Sequence, residues 1–361
     1  MTPRKRALQS AIRPIFRIKA MKHLKQLSLS LIAAAAAIVA GQASAQTVLT
    51  ASSWVPPTHS MSLAQKEWCD LLEKNTSGKM KCNILPRGVS APPGTFDAVK
   101  SGQADISFTV HGYTPGRFVM TQMAEFPFLG NTSEPISVAF NRVAMKHPQF
   151  VAEHQGVKVL SFFTHGPGIV FNTKKQIAKA DDLQGLKFRI GGGMVNEISK
   201  TLGMNVTLKP ATDSYELLSG GVMDGTLFPA ESTESFKIDK IIKHATTFPG
   251  GLYNTSFVFM MNQGKYDKLT AEEKKAVDAI SGEMAARIFG RGWDKVDLRA
   301  TALMQANGVQ ITKADAKFVA DVKTKTSGLE AKWIADAQGK GLPNAAKVLA
   351  EFRSEIAKQE K

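Results

Sequence analysis

The chain has 361 residues, 43% of them hydrophobic and 21% charged, with a formal net charge of +15. That length and composition suit two domains of ordinary size around apolar cores and exclude a disordered or fibrous chain. The charge is no nucleic-acid footprint: Arg4, Lys5, Arg6, Arg13, Arg17, Lys19, Lys22 and Lys25 crowd residues 1–45, which hold no acid, and the other 38 basic and 31 acidic residues leave a scattered excess of +7.

Residues 1–45 read as a secretory signal peptide. A basic region ends at Lys25, an apolar stretch follows from Leu27 to Ala40, and Ala43-Ser44-Ala45 is a small-x-small cleavage site before Gln46. The apolar stretch is too short for a membrane span. Met21 is an alternative start, since Met21 to Ala45 alone makes a complete signal. Exported, soluble protein is expected, with cleavage after Ala45. The two cysteines, Cys69 and Cys82, have no zinc spacing. In an oxidising compartment a disulfide between them is sterically possible; two buried thiols are the alternative.

Next, Thr47 to Ser53 reads as a strand, stopped by Pro56-Pro57, and Ser60 can cap a helix to about Asn75. Met80 to Leu85 is a second strand, Phe96 to Lys100 a short helix, and Ala104 to Val110 an apolar strand ending at His111-Gly112-Tyr113. A helix over about Ile136 to Lys146 and a strand over Val157 to Phe163 follow. Strands alternating with crossovers of helical length predict a parallel sheet covered by helices.

The second half restarts the pattern with Gly168 to Asn172 extended. Asp182 to Gly185 then turns into the strand Leu186 to Ile190, which carries Arg189 at its end, followed by Gly191-Gly192-Gly193 and a helix from Met194 to Leu202. Strands over Val206–Leu208 and Val222–Phe228 flank a short helix, Tyr215 to Leu218, and Ser232 to Ile242 reads as helix. Ser256 to Asn262 is an apolar strand expected to cross back to the first half. Thr270 with Glu273 makes a capping box for one long helix to about Gln305, with Val277, Ile280, Met284 and Ile288 on one face. Val309 to Ile311 is a strand, and amphipathic helix fills the remainder. A weak internal echo, Val99 to Asp105 against Leu218 to Asp224, hints at two related lobes.

An arginine at the carboxyl end of a strand lies where α/β sheets usually bind ligands, and its planar fork matches a carboxylate. A structural ion pair is the competing reading of Arg189. No catalytic constellation stands beside it: there is no Gly-x-Ser-x-Gly elbow, no His-Glu-x-x-His, and no phosphate loop at Gly78-Lys79. His59 and His111 fall at strand-to-helix loops that could face a cleft. No cofactor or metal is expected, and capture by cleft closure fits better than catalysis.

The chain after Ala45 resembles the periplasmic solute-binding proteins of tripartite ATP-independent periplasmic (TRAP) transporters, of the dicarboxylate-binding type. The likeness rests on Asp182 to Arg189, Tyr215 to Leu218, Val222 to Gly225, Lys100 to Asp105, Phe126 to Leu129 and Leu269 to Glu273. It implies an α/β, two-lobed periplasmic binding protein, type II-like, with hinge strands and a long helix spanning both lobes. The lobes would comprise 46–165 with about 254–292, and 166–253 with about 293–361, the latter including the C-terminal helices.

The resemblance further implies that Arg189 binds a substrate carboxylate, with delivery to the small and large membrane subunits of a permease driven by an ion gradient. Trp54, His59, Tyr113, Phe171, Phe228 and Asn254 join Arg189 as expected cleft residues. Where sialic acid and C4-dicarboxylate binders tend to carry a second arginine, this chain has His165-Gly166-Pro167-Gly168, and Leu227-Phe228-Pro229 replaces a polar position. Both departures point to a monocarboxylate with an apolar or aromatic body, such as a 2-hydroxy or 2-oxo acid, bound by a monomer. A secreted enzyme on the same scaffold and a ligand sensor reporting to a receptor are the alternatives.

Overall fold

The computed structural model describes residues 46–360, so the signal peptide, its cleavage after Ala45 and the choice between Met1 and Met21 lie outside the described residues. The described chain forms two open sheets. The first half supplies β1 (Thr47–Ala51), α1 (Ser60–Asn75), β2 (Met80–Ile84), α2 (Thr95–Lys100), β3 (Ile106–Val110), α3 (Ser133–Lys146), α4 (Pro148–Ala152) and β4 (Val157–Thr164). The second supplies β5 (Ile169–Asn172), β6 (Lys187–Ile190), α5 (Met194–Thr201), β7 (Asn205–Leu208), α6 (Ser214–Ser219), β8 (Gly225–Phe228), α7 (Glu231–Ser235) and β9 (His244–Thr247). After them come β10 (Ser256–Asn262), α8 (Gln263–Asp267), α9 (Ala271–Ala279), α10 (Glu283–Ala306), β11 (Gln310–Lys313), α11 (Ala316–Thr326), α12 (Gly328–Gly339) and α13 (Ala345–Gln359).

The first sheet has the order β2-β1-β3-β10-β4 and the second β11-β9-β5-β8-β6-β7. Neither is purely parallel, which corrects the expectation. β10 runs antiparallel to β3 and β4, and β5 antiparallel to β8 and β9. The cause is the path of the chain. β5 and β10 each arrive from the opposite sheet, so each enters at the cleft end, where its neighbours finish. As expected, Ser256 to Asn262 crosses back into the first sheet. Inside it Phe163 stacks between Phe257 and Phe289, with ring centroids 4.9 and 4.2 Å away.

Several element limits move. His59, not Ser60, caps α1, its Nδ1 accepting the Met61 N–H at 3.2 Å. The predicted helix over Ser232 to Ile242 stops at Ser235; Lys237 is left-handed, and Ile238 and Ile242 bury as a turn. The single long helix is two. Thr270 and Glu273 do form a capping box, but α9 ends at Ala279, and Gly282, at φ +59°, starts α10 afresh. The break is tied to β4, since Gly282 N–H donates to the Leu160 carbonyl at 2.6 Å and Ser161 Oγ–H donates to the Gly282 carbonyl at 2.8 Å. That reset of helical phase leaves Met284 exposed while Val277, Ile280 and Ile288 are buried.

α10 packs on α1, α3 and β4 of the first half and on α7 of the second. Asp294 accepts the Ser133 and Glu134 N–H groups at the start of α3, and one turn later Asp297 accepts the Glu231 N–H at the start of α7. Carboxylates at helix starts satisfy otherwise orphaned donors. The last helix, α13, lies on α3 of the first half and not with the second sheet, where the sequence grouped it. Its buried face, Val348, Leu349, Phe352 and Ile356, finds its apolar partner there, with Phe352 6.2 Å from Phe140. Among the described residues no helix is long and apolar enough to cross a membrane.

Cys69 of α1 and Cys82 of β2 are joined as a disulfide, with Cα atoms 5.6 Å apart. Exported protein should therefore show no free thiol when titrated under denaturing, non-reducing conditions. Closing so short a loop should add at most about 3 kcal/mol of stability, read as the loss on Cys69→Ala/Cys82→Ala in denaturant unfolding.

Candidate functional site

The ends of β6 and β8 meet the end of β3 and the two crossing segments around a cavity. Strand register explains its floor. Arg189 of β6 stands opposite Thr226 of β8, so Phe228, two residues on, shares that face one row nearer the cleft. The Arg189 guanidinium carbon accordingly lies 4.5 Å from the Phe228 ring centroid.

Arg189 is 2% exposed, and its Nε–H donates to the Lys209 carbonyl at 2.8 Å. No carboxylate oxygen of the described residues comes within 4 Å of it, so the structural ion pair is absent among them. Burial pushes the guanidinium pKa down, and the hydroxyls of Tyr113 and Tyr253 and the more remote Asp213 oppose the shift. A buried cation with no carboxylate in direct contact among the described residues is unfavourable unless a partner arrives. The terminal nitrogens are thus set up for an anion.

The rest of the wall is mostly aromatic. Trp54, edge-on to Tyr113 at 5.7 Å, Phe228 stacked on Phe236 at 5.6 Å, Tyr253, Phe257 and Trp293 all line it. His59 sits among them, edge-on to Phe236 and Trp293; burial lowers its pKa against the pull of Glu231, whose Oε1 lies 3.2 Å away. Of the residues singled out by sequence, Arg189, Trp54, His59, Tyr113 and Phe228 thus come together.

Phe171 and Asn254 do not join them. β5 is antiparallel, so Phe171 pairs with Thr226, one row behind Phe228, and its ring is wholly buried in core. Asn254 is 2% exposed, with its Oδ1 accepting the Thr255 N–H, and stands outside the wall. Sequence reasoning missed Tyr253, Trp293 and His165 as wall residues. Only His165 had left a signal, as the replacement for an expected arginine. Gly168 shows why that segment is glycine-rich: a Cβ there would come within 2.2 Å of the Tyr253 ring.

His111 turns away from the cavity into a chain of hydrogen bonds behind it. His154 Nδ1 meets the Phe150 carbonyl at 2.7 Å, His154 Nε2 meets His111 Nε2 at 2.9 Å, and His111 Nδ1 meets Ser256 Oγ at 2.8 Å. Ser256 Oγ meets Glu125 Oε1 at 2.6 Å, and Glu125 Oε2 accepts the Met194 N–H, at the start of α5, at 2.7 Å. The approach is close because Gly193, at φ +76°, has no Cβ; one would lie 2.4 Å from Glu125 Oε2.

Two neutral histidines and a serine bring three hydrogens to the four links from Phe150 to Glu125, so all four are filled only when Glu125 is protonated. Burial, opposed by the Phe150 carbonyl and helped by the charge of Arg117, lowers the His154 pKa to about 4, so an added proton goes to the Glu125 carboxyl before that ring. Burial also pushes His111 well down and raises Glu125 from 4.5 to about 6, the Met194 and Ser256 donors opposing the latter.

A carboxyl raised in the folded state stabilises it below its unfolded value and loses that contribution as pH rises through the folded one. Relative to Glu125→Gln, which keeps a donor for Ser256, the parent should lose about 2 kcal/mol of unfolding free energy between pH 4.5 and the region above 6. Parallel denaturant curves for the two proteins would show it. Among the described residues no group of three or more His, Cys, Asp or Glu is placed to hold a metal ion.

The chain is similar to known proteins over most of its length. The family model described as bacterial extracellular solute-binding protein, family 7, matches residues 51–336. A Comamonas testosteroni protein named outer membrane transporter protein TsaT is 28% identical over 324 residues, 90% of this chain and 95% of that one. A TRAP periplasmic solute-binding protein from Bordetella bronchiseptica, solved with bound (R)-mandelate and (S)-mandelate, is 40% identical with a TM-score of 0.84, over 86% of this chain and 99% of that one. A marine metagenome TRAP solute-binding protein specific for aromatic acid ligands, solved with metahydroxyphenylacetate, is 32% identical with a TM-score of 0.82, over 88% and 100%.

Proposed function

Because the chain belongs to family 7 of the bacterial extracellular solute-binding proteins, we propose that it is the receptor of a TRAP transporter for an aromatic monocarboxylate. The observation that carries this reading is the buried Arg189, without a carboxylate partner among the described residues, over Phe228 in a mostly aromatic cavity. The guanidinium fork takes the carboxylate, and Phe228, Phe236, Trp54 and Trp293 take the ring. The mandelate and aromatic acids in the Bordetella and marine proteins support the same class. A wall with one fixed cation leaves the second carboxylate of succinate or malate unpaired, and an unpaired buried charge is unfavourable.

The protein is a binder and not a catalyst in this reading. It works in the periplasm as a monomer, after removal of residues 1–45, and hands its ligand to the two membrane subunits of the permease. The lobes meet at the crossings near 165 and 254, with α10 along both. Isothermal titration should show heats of binding for mandelate and 3-hydroxyphenylacetate and at least tenfold weaker binding for succinate and malate. Tight binding of the dicarboxylates with none of the aromatic acids would overturn the ligand class.

A further inference from the structure

Resting on that reading, we propose that His165 selects the ligand's second polar group, by accepting a hydrogen bond from a hydroxyl. His165 follows β4 at the first crossing and stands in the cavity wall, 4% exposed. Its Nδ1 bonds the Gly166 carbonyl. A carbonyl only accepts, so Nδ1 carries the ring hydrogen, and a neutral imidazole with that tautomer has a bare lone pair at Nε2. Burial pushes the ring's pKa to about 4, so it is neutral at ordinary pH.

No hydrogen bond among the described residues reaches Nε2, and the ring lines the cavity. Turning the ring over to find one would break the Gly166 bond. The ring is also wedged edge-on against Tyr253 at 5.4 Å, Trp293 at 5.9 Å and Phe257 at 6.1 Å. A ligand that displaces water from this wall must offer Nε2 a hydrogen or leave it unpaired, which makes the ligand the candidate donor.

The chemistry is complementary to that of Arg189, which can only donate. One end of the cavity therefore wants an anion and another wants a hydrogen. An aromatic acid with a hydroxyl offers both. Its 2-oxo analogue would bring a carbonyl lone pair against the Nε2 lone pair, and the unsubstituted acid would leave Nε2 unpaired. A site built around a hydroxyl rejects analogues that lack it more strongly than an apolar wall could. Of the 2-hydroxy and 2-oxo acids that the sequence left together, His165 favours the former.

The test is titration of the parent, His165→Leu and His165→Gln with (R)- and (S)-mandelate, 3-hydroxyphenylacetate, phenylacetate and phenylglyoxylate, after thermal melts have shown all three folded. In the parent, at least one hydroxylated acid should bind about tenfold or more tighter than phenylacetate, with phenylglyoxylate weakest. In His165→Leu that ratio should fall close to one, and His165→Gln, which offers an amide oxygen, should recover part of it. A preference for mandelate or for 3-hydroxyphenylacetate supports the inference equally and says whether the hydroxyl sits on the side chain or the ring. Equal affinity for phenylacetate and its hydroxylated relatives, or a preference that survives in His165→Leu, overturns it while the aromatic-acid reading stands. No binding of any aromatic acid by the parent overturns both.

Discussion

Replacing Arg189 with alanine should weaken binding of the aromatic acid by at least about a hundredfold. Charge-assisted hydrogen bonds contribute roughly 1.5–3 kcal/mol each, a bidentate carboxylate makes two, and each 1.4 kcal/mol is about tenfold in Kd. Arg189→Lys should recover little, because an ammonium is a point charge and cannot reproduce the fork. It would also forfeit the directed bond from Nε to the Lys209 carbonyl that holds the guanidinium in place. Arg189→Met separates binding from folding. It keeps most of the side-chain volume and removes a buried charge that has no carboxylate partner among the described residues, so it should melt near the parent temperature and bind no better than alanine. Full affinity in Arg189→Ala would remove this cavity from consideration as the carboxylate site.

Phe171→Ala and Phe228→Ala should part company. Phe171 is fully buried behind the cavity, and truncating such a ring typically costs about 3–5 kcal/mol of stability. Its ligand affinity, measured well below the melting temperature, should stay within a few-fold of the parent. Phe228 touches both the cavity and the Arg189 guanidinium. Removing it should weaken binding about tenfold or more through lost ring contact and a looser arginine, because a cation over a desolvated ring is held by up to about 2 kcal/mol. Denaturant melts and titrations on both variants decide it. A stable Phe171→Ala that no longer binds would put that ring back in the site.

These two phenylalanines also mark the limit of what the sequence could say. Alternation and turn residues sufficed for strands around Arg189 and Phe228, because side-chain direction within a strand follows from a period of two. Which row faces the cleft depends on strand direction, and direction depends on a crossing that joins distant segments. β5 looks like any other short apolar strand until β8 is laid beside it, antiparallel, with Phe171 against Thr226.

The break at Gly282 was hidden for a similar reason. The capping box at Thr270 and Glu273 is local and legible, whereas the pull of the Leu160 carbonyl on the Gly282 N–H comes from a strand 122 residues earlier. His165 was noticed only as something missing. Its tautomer, and so its chemistry, is written by a carbonyl next door in a crossing whose geometry no spacing rule describes.

The aspartates of α10 have a mechanical meaning. Asp294 holds the start of a helix from the first half and Asp297, three residues on, the start of a helix from the second. Helix starts from both halves are thus held by a single turn of α10, which fixes them relative to one another. Away from that turn, Tyr113 Oη accepts the Ala211 N–H and Gly112 lies against Gly192, so the two halves touch again at the cavity's rim, and parting them there would cost that hydrogen bond.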